Sequence, residues 1–310
     1  MKGPVLALAG GVGGAKLALG LARVVPPDAL VIAVNTGDDE CFHGLHVSPD
    51  LDTIMYTLAG LANPETGWGL TGDTFNALSM LKEYGADTWF NLGDRDLATH
   101  IRRTQLLRQG ATLSEVTAEL CRCLGVAQKV MPMSDDPVRT MLITDDGELP
   151  MQQYFVRRRS EPRVQSICYQ GAATARPAPG LLAALAQART VVFCPSNPFL
   201  SLGPVLAVAG IREQLGSFRG ARVAVSPIVG GMAIRGPAAK IMAELAWEVS
   251  SLGVARHYQG LCDTFWIDDQ DASLAPAITE LGMRPRIGPI IMASESDKIA
   301  LAKRILEVGD

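Results

Sequence analysis

The stretch Val5-Leu6-Ala7-Leu8-Ala9-Gly10-Gly11-Val12-Gly13-Gly14-Ala15-Lys16 decides the fold of this chain. Five apolar residues without a polar break read as a strand covered on both faces, because a strand with one wet face would alternate. Glycines follow at once. A helical apolar pattern then runs over 17–25 until Pro26-Pro27 stops it, since proline cannot continue a helix interior. Leu30–Val34 is a second unbroken apolar segment. Strand, glycine turn, helix and strand make one βαβ unit, the building block of a parallel sheet.

The same rhythm resumes near residue 180: a helix over 181–188, a strand at 190–194, mostly helix over 203–215, and a strand at 222–226. A helix over 238–252 closed by Gly253, a short strand at 265–267, a further short strand at 290–292 and a terminal helix over 296–306 complete it. The middle is different. Residues 35–53 are too rich in Asp, Gly and His for a core element; a helix is expected over 52–61 and a loop over 63–74. Helices are expected over 74–84, ended by Gly85, over 98–110, and over 113–124, where Thr112, Ser114 and Glu115 give an N-terminal capping signal. Residues 141–144 and 151–156 flank Asp145-Asp146-Gly147 and predict a β-hairpin, followed by a solvated Arg157-Arg158-Arg159 edge. The expectation is a single α/β domain over 1–310 with a Rossmann-like, doubly wound, mostly parallel sheet. Its core is 1–60 and 180–310, and a helix-rich insertion of about 61–179 carries the hairpin.

The chain has 310 residues, 48 % hydrophobic and 19 % charged, with a mean hydropathy of +0.18, enough for one large core. A net charge of −4 and an isoelectric point near 5.6 give no general pull toward nucleic acid, so a phosphate ligand must be held by local groups. Cys41, Cys121, Cys123, Cys168, Cys194 and Cys262 are scattered without a C-x-x-C pair, which speaks against a zinc site or disulfide framework and fits a reducing compartment. The N-terminal apolar run is too short for a membrane span and is cut by glycines where a leader would need its cleavage site. The reading is a cytoplasmic protein with no membrane and no nucleic-acid partner.

Chemistry is expected where turns follow strand ends, because open α/β sheets bind ligands at the carboxyl edge. Gly10, Gly11, Val12, Gly13 and Gly14 open a helix whose amides and dipole suit a phosphate, and Lys16 in the first turn adds charge. No Ser or Thr follows Lys16, so this is not the Walker pattern, and Asn35-Thr36 stand where an NAD-binding chain would carry an acid. Asp50 and Asp52 can hold a hard cation through oxygen or cap the helix after them. Arg95, between Asp94 and Asp96, offers a planar fork of donors; Asn91 precedes it, Asp96 is the expected cap, and His100 reads as a structural hydrogen bonder. Ser134, Asp135 and Asp136 form an acidic turn ahead of the hairpin. Ser196 and Asn197 follow the strand at 190–194, and Ser226 ends the strand at 222–226; with the glycine turn they form one crevice suited to a nucleotide.

These segments also occur together in a known pattern. GGVGGAK (10–16), NTGDD (35–39), PDLDT (49–53), LGDRDLATH (92–100), SDDP (134–137), PSNP (195–198) and SPIVGG (226–231) stand in order. The chain thereby resembles the CofD family, the 2-phospho-L-lactate transferases of coenzyme F420 biosynthesis, nearly end to end. DDECFHGLHVSPDLDT (38–53) is similar to the bacterial branch, often called FbiA, and Val12 stands where many archaeal members carry threonine.

The resemblance implies an enzyme that moves a phospho-acyl group (phospholactyl, phosphoenolpyruvyl or phosphoglyceryl) from a GDP-linked donor to the deazaflavin Fo. GMP leaves, and F420-0 or its dehydro form results. It implies Mg²⁺ held by Asp50 and Asp52, with donor contacts from Gly10–Gly14, Lys16, Ser196, Asn197 and Ser226. Fo contacts are implied for Asp50, Asn91, Arg95, Ser134 and Asp135; Asp50 and Arg95 are the implied catalytic pair, and a homodimer is implied. A nucleotide-sugar-binding regulator of the gluconeogenesis-factor type is the alternative, since that family has a related glycine loop but lacks the LGDRDLATH and SDDP set. An NAD-dependent oxidoreductase is disfavoured by the missing acid after the second strand.

Overall fold

A computed structural model describes residues 3–307. The strands are β1 Val5–Ala9, β2 Leu30–Val34, β3 Glu40–Phe42, β4 Leu45–Val47, β5 Lys129–Pro132, β6 Arg139–Thr144 and β7 Gly147–Pro150. They continue with β8 Val164–Gln170, β9 Thr190–Phe193, β10 Ala221–Val225, β11 Ile228–Val229, β12 Met232–Ala233, β13 Thr264–Ile267 and β14 Arg284–Ile287. The first helices are α1 Gly11–Val24, α2 Pro49–Leu58, α3 Asn76–Glu83, α4 Asp94–Arg108 and α5 Leu113–Cys123.

Seven strands form the central sheet in the order β14-β13-β10-β9-β1-β2-β5, with every pairing parallel. The chain runs outward one way from β1 through β2 and the other way from β9 through β10. The β1/β9 junction is therefore the switch point, where the turns leaving two neighbouring strands part and open a crevice. Successive side chains of β1 alternate between the faces. Leu6 and Leu8 join a core with Leu185, Leu202, Val205 and Leu215, while Val5, Ala7 and Ala9 pack with Leu17 and Leu21 of α1, Ile54 of α2 and Ile305 of the C-terminal Glu295–Glu307 helix. Burying each such aliphatic side chain contributes about 1.5–3 kcal/mol over leaving it exposed. No helix among the described residues is long and apolar enough to cross a membrane.

The α/β, mostly parallel, doubly wound architecture is as expected; several details are not. The central sheet takes β5 from within the span assigned to the insertion, so 61–179 contributes an edge strand to the core. The polar stretch after β2 holds a small hairpin, β3–β4. The Asp-Gly hairpin exists, with Gly147 at φ 102, but its second arm is β7 and ends at Pro150. Residues 153–157 turn helical instead, and β8 adds a third strand. The helix expected over 238–252 is two, Ala238–Glu244 and Ser251–His257. Gly253 sits inside the second, where a Cβ would fall 1.9 Å from the Glu248 carbonyl oxygen. Residues 290–292 form no strand; the sheet edge is β14. The capping box at Thr112 and Glu115 is present.

Candidate active site

A cleft of about 640 Å³ opens at the switch point, and the start of α1 forms its floor. Ser196 ties the glycine turn to the β9 turn: its hydroxyl donates to the Gly10 carbonyl (2.8 Å) and accepts from the Gly10 amide (3.2 Å). The glycines serve close approach more than conformational freedom. Only Gly11 of this turn has positive φ, +60. A Cβ on Gly13 would lie 2.2 Å from the Pro195 carbonyl oxygen, and one on Gly10 would lie 2.5 Å from an Asp50 carboxylate oxygen. Asn197 fixes its own turn, its side-chain oxygen accepting from the amides of Phe199 (2.9 Å) and Leu200 (3.0 Å). Its side-chain NH2, buried in the cleft wall, has no partner among the described residues, so its donors are open to an acceptor.

Two acid groups line this cleft and are treated in opposite ways. In the first, the Asn35 amide nitrogen bridges Asp38 (3.1 Å) and Asp50 (2.9 Å), and Gln152 donates to the other Asp38 oxygen (3.1 Å). Among the described residues no cation pairs with either acid. Burial pushes Asp38 well above the usual carboxylate range, and the neighbouring Asp50 and Asp39 push it further. Burial likewise raises Asp50 to about 6, against the opposing hydrogen bonds from Asn35 and the Gly11 amide. In the second group the fully buried Arg103 grips both oxygens of Asp52. Arg103 also donates to His100 Nδ1 (3.2 Å), which leaves the imidazole proton on Nε2, 3.3 Å from Asp96. Tyr56 donates to the same Asp96 oxygen (2.7 Å). Burial raises Asp96, but His100, Tyr56 and Arg103 more than offset it, and its carboxyl stays below the usual range.

The side walls are apolar and aromatic, with Trp68, Phe90, Phe155, Ile234 and Ile291 facing the opening, a surface for a planar heterocycle. Phe90 is held by Phe42 of the β3–β4 hairpin, stacked at 4.0 Å. Lys16 lines the cleft, its ammonium destabilised by burial and by Lys298 and Arg235 nearby.

Of the residues singled out in the sequence, Gly10, Gly11, Val12, Gly13, Lys16, Asp50, Asp52, Asn91, Ser196 and Asn197 meet in this cleft. Five do not line it. Gly14 is covered by Ser196. Arg95 points outward and donates to the Thr71 carbonyl (3.0 Å). Ser134 donates to the Arg176 carbonyl (2.6 Å), and Asp135 accepts from the Ser114 amide (2.7 Å) at the start of α5. Ser226 closes its own turn on the Ile228 carbonyl (2.7 Å). The capping expectations are corrected too. Neither Asp50 nor Asp52 caps α2, and α4 is capped by Asp73, which accepts from the Arg95 (2.8 Å) and Asp96 (3.0 Å) amides. Asp38, Asp96, Arg103 and Gln152 were not picked out as site residues. The signal for Asp38 was available, because NTGDD follows β2 as PSNP follows β9.

The model of the CofD family, 2-phospho-L-lactate transferase, matches residues 5–279. A phosphoenolpyruvate transferase of Streptomyces griseus is 43 % identical over 99 % of this chain and 98 % of its own length. A 2-phospho-L-lactate transferase of Methanosarcina mazei is 36 % identical over 98 % of this chain and 99 % of its own. A solved structure from Bacillus halodurans, of the UPF0052 family, shares the fold with a TM-score of 0.63 at 15 % identity, covering 99 % of each chain. A whole-length match of this kind, on a chain whose motifs gather at one switch-point cleft, places the protein in the CofD family as a transferase of the 2-phospho-L-lactate transferase type.

Proposed function

We propose that this enzyme works in coenzyme F420 biosynthesis, moving a phospho-acyl group from a GDP-linked donor to the terminal ribityl hydroxyl of Fo, with GMP as leaving group. The observation that carries the reading is the uncompensated Asp38–Asn35–Asp50 cluster set against the N-terminus of α1. A helix N-terminus attracts phosphate, yet two carboxylates beside it repel phosphate. A divalent cation held by Asp38 and Asp50 would reconcile the two tendencies. Asp38 and Asp50 supply hard oxygen donors, and Mg²⁺ commonly uses one or two carboxylates plus substrate phosphates. Asp52 fits that role poorly, because Arg103 already neutralises it. When bound there, Mg²⁺ would neutralise charge on the transferring phosphoryl group.

The chain's own residues supply the rest. Asn197 donates to a donor oxygen, the α1 amides and Lys16 face the phosphates, and the aromatic walls hold the deazaflavin ring. The acceptor oxygen forms the new bond to phosphorus as the bond to GMP breaks, and its proton passes to an Asp50 oxygen or to water. Positioning of this kind supplies much of the catalysis in phosphoryl transfer. The names of the relatives at 41–43 % identity favour an enolpyruvyl donor. The test is mass spectrometry of the product when Fo meets lactyl, enolpyruvyl and glyceryl GDP donors together. A deazaflavin phosphodiester of the dehydro mass is expected. No phosphodiester with any donor would overturn the reading.

A further inference from the structure

Behind the glycine turn lies a second, smaller cavity of about 190 Å³, lined by Val12, Lys16, Leu19, Thr57, Gly67 and Lys298 among others. It shares Val12 and Lys16 with the main cleft, so Lys16 stands in the wall between the two. Arg235 lies at the same wall from the cleft side: its guanidinium donates to the Thr66 carbonyl and packs where a Cβ on Gly67 would lie 2.8 Å away.

Lys16 and Lys298 thus line one cavity, Arg235 approaches its Gly67 rim from the main cleft, and none of the three has an ion-pair partner among the described residues. Glu295 feels Lys298 but is already paired with Arg23 at 2.7 Å. Like charges gathered without a counter-charge are unfavourable, and an anion bound between them relieves the repulsion. The volume is below the roughly 300 Å³ of sites for drug-sized ligands, so the occupant is a small group rather than a whole nucleotide.

We propose that this cavity is a phosphate subsite in which Lys298 and Lys16 hold a phosphate group, with Arg235 at its Gly67 rim. Resting on the functional reading above, its source is the donor's diphosphate, whose non-bridging oxygens reach past Val12 while the guanosine stays in the main cleft. Free inorganic phosphate shares the same chemistry. Lys298, on the last helix of the chain, is thereby a binding residue separated in sequence from every motif of the main site.

The test is calorimetry on the full chain with GDP, pyrophosphate and inorganic phosphate as separate probes, using wild type, Lys298→Gln and Lys298→Arg. Losing one charge-assisted contact weakens binding of the recognised probe about tenfold in Lys298→Gln. Lys298→Arg, which keeps the charge, stays within about threefold of wild type and melts with it, which separates binding from folding. Weakening with GDP and pyrophosphate but not with inorganic phosphate assigns the site to the nucleotide; weakening with all three means free phosphate fills it as well. If GDP binds wild type and Lys298→Gln equally, and neither other probe distinguishes them, the subsite is overturned while the functional reading stands. If pyrophosphate binding depends on Lys298 but GDP does not bind, the subsite stands and the GDP donor falls. Binding of none of the three probes to wild type overturns the subsite as well.

Discussion

Two pairs of aspartates line the same cleft, and their surroundings are opposite. Asp52 and Asp96 have Arg103, His100 and Tyr56 packed against them, with one buried guanidinium gripping Asp52 directly. Asp38 and Asp50 have only amides, from Asn35, Gln152 and the start of α1. Amides can orient a carboxylate but cannot cancel its charge. The first pair is therefore structural support for the cleft, and the second, in the proposed function, is the pair that would take its counter-charge from a ligand. Lys16 and Lys298 behind the glycine turn are the mirror image, positive groups with no ion-pair partner among the described residues.

The largest effect should come from breaking the completed pair. Arg103→Met strands Asp52 in the interior and should destabilise the fold by about 3–5 kcal/mol, measured by denaturant unfolding. Adding Asp52→Leu should recover most of that, since an apolar replacement of both partners removes the orphaned charge. Breaking the incomplete pair should do the reverse. Asp38→Asn or Asp50→Asn should lower kcat by about 100-fold with excess Mg²⁺, while raising the melting temperature of the metal-free protein by about 1–2 °C, the shift expected for roughly 1 kcal/mol of relieved repulsion in a chain of this length.

That gain has a pH signature. Asp50 is raised from 3.8 to about 6 in the fold, so folding favours its protonated form. The contribution is fully present below pH 4 and is lost as pH rises through about 6. Asp50→Asn should thus stabilise the metal-free protein at pH 7.5, and the difference from wild type should shrink as pH falls below about 6 and approach zero only near pH 4 in paired thermal melts. A gain independent of pH would contradict the repulsion argument. Smaller still, Asn197→Ala should raise the donor KM about tenfold by removing its waiting donors. Smallest of all, Arg95→Ala should leave kcat/KM within about twofold of wild type, because its guanidinium is spent on the Thr71 carbonyl outside the cleft.

What the sequence disclosed follows the same contrast. β1, the glycine turn, α1 and β2 could be read because local signals agree: unbroken apolar runs, glycines at one turn, prolines at the helix end. The strand-end turns at 195–198 and 226–231 followed from strand position alone. β5 was invisible, since Lys129-Val130-Met131-Pro132 is short, carries a lysine and a proline, and becomes a strand only by pairing with β2. The site failed where a side chain's use depends on long-range partners. Arg95 and Arg103 both lie on α4 in a charged stretch, and only the packing of α4 against the β3–β4 hairpin and α2 sends Arg103 inward to Asp52 and Arg95 outward. Asp38 and Asp52 are likewise equivalent by spacing; the difference is Arg103, fifty-one positions away from Asp52.

The most direct test of the contrast is Mg²⁺ affinity by calorimetry, with GDP present, in wild type, Asp38→Asn and Asp52→Asn. The Asp38–Asp50 assignment predicts at least about a tenfold loss in Asp38→Asn and near wild-type affinity in Asp52→Asn, whose amide oxygen still accepts from Arg103. Affinity kept in Asp38→Asn but lost in Asp52→Asn would contradict it and return the metal to the Asp50–Asp52 pair.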